Sequence, residues 1–185
     1  MSEAEAMMTA ADLISLLHDY EARAGSLTEG VPQYEESYAH WDGIGFTIMG
    51  VSVVAGLNDV KEILNLPAAV TRVPGTQGWM LGIANIRGNL LPIVDLQVFL
   101  GGKAITIGKR SRVLVIDHDG VRVGLLVGGV LGIRHFRPEQ RSTCEQPPTG
   151  LADYCSDCFD LADERWPVFN VRKLAANDSF QMAAL

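Results

Sequence analysis

VKEILNLPAAVTRVPGTQGWMLGIANIRGNLLPIVDLQVFLG, residues 60 to 101, is the stretch whose reading decides the fold. Ile83 to Arg87 and Leu90 to Asp95 are two short apolar runs, and the Gly88-Asn89 pair between them lets the chain reverse. This spacing predicts a β-hairpin that presents an arginine at its turn. Upstream, the pattern predicts a short helical turn over Asn58 to Ile63 and a short strand at Thr71 to Val73. The Pro74-Gly75 dipeptide then opens a loop that carries Trp79. No nucleophile or general base stands beside Arg87, so the turn reads as a binding surface rather than a reaction centre.

Working outward, the same grammar repeats. Ile44 to Met49 and Val51 to Ala55 flank Gly50, and Arg112 to His118 and Val121 to Val127 flank Asp119-Gly120. Val130 to Phe136 continues as a further strand. Tyr154 to Ala162 and Trp166 to Asn170 flank a polar turn at Asp163-Glu164-Arg165, before a helical turn at Val171 to Ala176. Short strands between glycine-bearing turns argue for an all-β chain of small-barrel type, with Gly101-Gly102 between two groups of strands. Residues 1 to 42 read differently. Leu13, Leu16, Leu17 and Tyr20 recur at helical spacing, Thr9 with Asp12 resembles a capping box, and Gly25 supplies a stop, which predicts an amphipathic helix of about four turns. Ser26 to Asp42 reads as a linker with aromatic anchors. A short isolated helix is marginal in water, so this stripe docks either on its own domain or on a partner.

Three segments in the same order resemble the CheW-like domain family. They are Val60-Lys61-Glu62-Ile63, then Gly82 to Gly88 with its Asn85-Ile86-Arg87-Gly88 core, then Pro92-Ile93-Val94-Asp95-Leu96. The hairpin of Arg112 to Arg134 and the closing WPVFNVRKL at residues 166 to 174 support it. The resemblance runs from about Gly43 to Leu174 and implies two intertwined five-stranded SH3-like barrels over residues 43–176. An N-terminal helical extension (1–42) precedes them, and a short tail (177–185) completes the chain. The apolar tail after Asn177 gives no ground for the terminal helix of longer relatives.

The resemblance further implies a non-enzymatic signalling adaptor. Its partners would be a CheA-type histidine kinase and the cytoplasmic tip of a methyl-accepting chemoreceptor. The receptor groove would be formed by Val60, Glu62, Gly82, Arg87 and Gly88. The N-terminal extension and its Trp41-Asp42-Gly43-Ile44-Gly45-Phe46 entry look more like the adaptors of the pilus-linked system that controls twitching motility.

A chain of 185 residues, 48% hydrophobic, can bury one substantial core or two small adjoining ones. A formal charge of -7 repels phosphate backbones and anionic lipid surfaces, which argues against nucleic-acid partners and membrane insertion. No apolar stretch approaches the roughly 18 residues of a membrane span and no signal peptide is legible, so a cytoplasmic protein is expected. Cys144, Cys155 and Cys158 form an odd set that reads as reduced structural thiols. The alternative class is a cysteine-based metal or redox sensor built around Cys155-Ser-Asp-Cys158, which would have to recruit His118 or His135 to complete a metal site. A third class is a barrel that binds a small ligand.

No histidine stands at a catalytic spacing, and the glycine-bearing stretches lack a phosphate-loop or dinucleotide fingerprint, so neither cofactor nor metal is expected. Asp95, in an apolar strand, is expected to tie a turn. Glu62 with Arg87 admits two readings, an ordinary surface ion pair or an oriented guanidinium fork that meets a partner.

Overall fold

The computed structural model describes residues 14–20, 40–161 and 164–183. The chain divides into two compact units, Met1–Ser37 and Tyr38–Leu185. In the first, residues 14–20 are helical, and Leu16, Leu17 and Tyr20 are exposed. Leu13, the Thr9–Asp12 cap, the Gly25 stop and most of the linker lie outside the described residues.

The second unit is built from eleven described strands. β1 (Trp41–Ile48) and β2 (Val51–Gly56) form a hairpin, and β3 (Val60–Asn65) comes next. β4 (Met80–Ile86) and β5 (Asn89–Asp95) form the second hairpin, and β6 (Arg112–His118) and β7 (Val121–Val127) the third. β8 (Gly129–Phe136), β9 (Arg141–Thr143), β10 (Asp157–Leu161) and β11 (Glu164–Val168) complete the set. The three hairpins turn on Met49-Gly50, Arg87-Gly88 and Asp119-Gly120, with both residues of each pair at positive φ. This is the primed turn whose twist matches that of paired strands. The second hairpin therefore turns one residue earlier than Gly88-Asn89, and Arg87 is a turn residue itself, at φ 52°.

Two sheets result, ordered β8-β1-β2-β11-β10-β9 and β3-β6-β7-β5-β4. The chain starts in the first, lays down the whole of the second, and returns to the first after β7, so the two are intertwined. The first sheet has five longer strands plus the three-residue β9, one more strand than the sequence pattern resolves. Gly101-Gly102 falls within the five-stranded sheet, in the β5–β6 connection, and does not divide the halves. The transfers between sheets occur after Gly56 and after Val127.

Each sheet encloses a core of its own. Val54, Phe136, Phe159 and Trp166 fill the six-stranded one, and Ala84, Leu91, Ile93, Val113, Val115 and Leu126 the five-stranded one. A larger cluster joins them, with Phe46, Ile48 and Val53 from one sheet against Val94, Leu114, Ile116 and Leu125 from the other.

Several elements differ from the sequence expectation. Residues 60 to 63 are strand rather than helical turn, because only Leu57–Asp59 forms a 3-10 turn before β3 starts. The Thr71 to Val73 segment contributes a single bridge, Thr71 to Ile83. The strand expected from Tyr154 begins at Asp157, since Leu151 to Cys155 is coiled in turns whose side chains enter the joint core. Among the described residues of the second unit three short α-helices occur, α1 (Leu96–Phe99), α2 (Val171–Ala175) and α3 (Asp178–Gln181), each capped by the preceding Asp95, Asn170 or Asn177. The last one corrects the reading of the tail. Asn177 accepts a hydrogen bond from Phe180 N, and buried Phe180 stacks on Trp79 with ring centroids 5.6 Å apart. An apolar residue one turn beyond a cap thus has a place to go.

The cysteine reading is also corrected. Cys144 and Cys158 are joined as a disulfide, with Cα atoms 5.1 Å apart, and Cys155 is the free, buried thiol. The pairing follows from β9 lying antiparallel to β10, and a three-residue strand leaves no periodicity to read.

Candidate partner-binding site

β3 and β4 are the two edge strands of the five-stranded sheet. Arg87, at the β4–β5 turn, places Nη2 2.7 Å from Oε1 of Glu62 on β3. The pair therefore joins the β4–β5 turn to the opposite edge strand of the sheet. Arg87 is 77% exposed and Glu62 32% exposed, so the guanidinium keeps donors free in water while one fork is held by the carboxylate.

Local sequence explains the aim of both side chains. A register shift between Val60 and Glu62 leaves Lys61 as the extra residue opposite β6, and such a bulge re-aims the side chains beyond it. On the other side, Asn85 Oδ1 accepts from Gly88 N at 2.8 Å and locks the turn that holds Arg87. Gly88 has open space around it, so its need for glycine is the φ of 86° alone.

Of the five residues suggested by the sequence, Glu62 and Arg87 touch and Gly88 adjoins them. Val60 lies at the start of β3 and is buried in the joint core. Gly82 lies back along β4 at φ 141°, and a Cβ there would fall on the Thr71 carbonyl. Its missing side chain thus admits the chain's own backbone, through the Thr71–Ile83 bridge whose two hydrogen bonds are each 2.8 Å long. Sequence reasoning missed two apolar neighbours. Leu90, opposite Asn85 and 72% exposed, and Ile63, which follows Glu62 on β3 and is also exposed, are apolar side chains left uncovered on the strands that carry the ion pair. The Leu90-Leu91 repeat was the available signal, because strand alternation lets only one of two successive leucines face the core.

Elsewhere, Asp95 is buried and accepts from Gln97 N, Val98 N and Ile105 N, which ties α1 and the loop after it to the end of β5. His118 Nε2 stands 3.3 Å from Asp59, and His135 Nδ1 stands 2.7 Å from Asp42. Burial pushes the Cys155 thiol up to about 12, only partly offset by the Lys173 charge. Among the described residues no group of three or more His, Cys, Asp or Glu side chains is placed to hold a metal ion. No described helix is long and apolar enough to cross a membrane.

Comparison with known proteins bears on the family and the fold. The CheW-like domain model matches residues 42–179. Protein PilI of Pseudomonas aeruginosa is 38% identical over 167 residues, covering 89% of this chain and 92% of that protein. The chemotaxis protein CheW of Helicobacter pylori is 33% identical over 107 residues, 58% of this chain and 61% of that one. The crystal structure of the scaffolding protein TtCheW from Thermoanaerobacter tengcongensis superposes with a TM-score of 0.63 at 20% identity, over 70% of this chain and 88% of that one, and shares the fold. With two intertwined SH3-like barrels, the three-segment signature on β3, β4 and β5, and a family model that spans most of its length, the chain belongs to the CheW-like domain family.

Proposed function

We propose that this protein is a non-enzymatic, cytoplasmic signalling adaptor that couples the cytoplasmic tips of chemoreceptors to a CheA-type histidine kinase. The extensive similarity to PilI supports placing it in a chemotaxis-like system that controls type IV pilus twitching motility. The receptor groove is assigned to the junction of β3 with the β4–β5 turn, with Val60, Glu62, Gly82, Arg87 and Gly88 as its residues. Glu62 and Arg87 supply the exposed polar atoms, while Val60 anchors the start of β3 in the core and Gly82 admits the Thr71 backbone to β4.

The observation that carries this reading is Arg87, an arginine locked in a two-residue turn and oriented by Glu62 of β3, with the exposed Leu90 one strand pair from the turn. A pre-oriented charged fork beside apolar surface is the composition of an interface centre. As a lone surface ion pair it would contribute only about 0 to 1 kcal/mol to stability. Arg87→Ala in the full chain, titrated with a receptor cytoplasmic fragment, is expected to lose about 2 kcal/mol of binding, some thirtyfold, with an unchanged melting temperature. Unaltered receptor binding, or a large drop in melting temperature, sinks the assignment.

A further inference from the structure

We infer that Cys144 and Cys158 form a reversible thiol-disulfide modification site, a latch that fixes the edge strand β9 and the connection 145–156 to the body of the six-stranded sheet. The inference rests on the cytoplasmic reading above, because small thiols in that compartment exchange with any disulfide that opening of its edge strand uncovers.

β9 is the weakest strand of its sheet. It is three residues long, lies at the edge, and pairs only with β10, through Arg141 to Phe159, Ser142 to Cys158 and Thr143 to Asp157. Two side-chain contacts reinforce it, Arg141 to Asp157 at 2.5 Å and Ser142 Oγ to Asp160 Oδ2 at 2.7 Å. Cys144 comes directly after, with its N–H donating to Ser156 O at 2.9 Å. The crosslink spans 14 residues of sequence and closes a loop whose Leu151 and Tyr154 reach into the joint core. With the bond made, β9 cannot leave β10. With it broken, three residue pairs, two side-chain contacts and the Cys144 N–H bond to Ser156 hold the edge.

The two sulfurs differ in access. Both are buried, but Cys158 lies on β10 inside the sheet, whereas Cys144 follows the three-residue edge strand β9, the element that local opening uncovers first. Cys144 is therefore the sulfur that an oxidant meets. Its thiolate attacks one sulfur of a low-molecular-weight disulfide, forms a mixed disulfide and releases one thiol. The Cys158 thiolate then displaces the second thiol from Cys144. The protein loses two protons and two electrons, and the oxidant leaves as two thiols. Reduction runs the same steps backwards. Cys155 takes no part, as a buried thiol whose proton is held far above neutral pH.

The test is a titration of the native full chain in buffers of reduced and oxidised glutathione, quenched in acid and read by alkylation and intact mass. Cys144 and Cys158 are expected to oxidise and reduce together and reversibly, while Cys155 reacts only after unfolding. A loop of this length shifts its own opening equilibrium by on the order of a hundredfold when crosslinked. Hydrogen exchange over residues 141–156 is therefore expected to be at least about tenfold slower in the oxidised form. Cys155→Ser should behave as wild type, and Cys144→Ser should lose the titration. Persistence of the bond in excess reduced glutathione would make it a fixed crosslink and end the proposal. So would a glutathione adduct that never closes, loss of the titration in Cys155→Ser, or equal exchange in both forms. None of these readouts uses a receptor or kinase, so failure here leaves the coupling assignment to its own experiment.

Discussion

Arg87 shares its backbone conformation with Met49 and Asp119: Met49 and Arg87 stand at φ 52° and Asp119 at φ 50°, in equivalent turns, each with a glycine next in the chain. Left-handed backbone costs a non-glycine residue about 1 kcal/mol or more, so each side chain sits there because the hairpin twist requires that geometry. Of the three, Arg87 is the one whose side chain bridges to another strand edge of the same sheet. The two site glycines separate by cause. Gly88 needs its φ alone, whereas Gly82 combines φ 141° with the Thr71 carbonyl where a Cβ would go. Gly88→Ala is expected to lower stability by about 1 kcal/mol and Gly82→Ala by about 3 kcal/mol or more, since strain and overlap add. Urea unfolding of both variants checks this, and equal losses would show that the Thr71 approach is soft. The motif residues were legible as a turn because Gly, Asn and Arg between apolar runs have few alternatives. The reason for Gly82 was not, since its partner Thr71 lies far back in the chain across a single bridge.

At the scale of elements, hairpins with strong turn chemistry could be read from sequence and short irregular pieces could not. β1, β2 and β4 to β8 carry either clear alternation or long apolar runs, so their existence follows from local pattern. β9 has three residues, none of them apolar, and its strand character comes entirely from β10 beside it. That is why the Cys144–Cys158 pairing stayed hidden although both residues were visible. The same strand is expected to respond to acid. The Ser142 hydroxyl, and then Arg165, hold the Asp160 carboxyl below its ordinary value. A carboxylate with a lowered folded pKa stabilises above its ordinary value, and the contribution is lost as pH falls through the folded value. Exchange over residues 141–143 in the reduced protein is therefore expected to quicken, relative to the intrinsic rate, as pH drops below about 4. Asp160→Asn should flatten that dependence. A pH profile identical in the variant would place the acid sensitivity of this edge elsewhere.

At the scale of the whole molecule, the two barrels are not beads on a string. The chain passes between sheets after Gly56 and again after Val127, and the largest core cluster is shared, with Phe46 and Ile48 of β1 packed in the same group as Leu114 and Leu125 of β6 and β7. Opening either sheet uncovers apolar surface of the other. The interleaving was available only through family resemblance, because strand order depends on long-range pairing that periodicity does not encode. It carries an energetic consequence for residues 40–183, which are expected to unfold in one cooperative step. The tryptophans report on both sheets, since Trp41 and Trp166 belong to the six-stranded one and Trp79 packs against Phe99 and Phe180 at the joint core. Fluorescence and far-ultraviolet circular dichroism should therefore trace coincident urea transitions. Leu125→Ala, a truncation in the shared cluster, should move both by about 2 to 5 kcal/mol together. Two separated transitions, with Leu125→Ala displacing only one, would mean that the barrels are independent folding units and that the shared cluster contributes little cohesion.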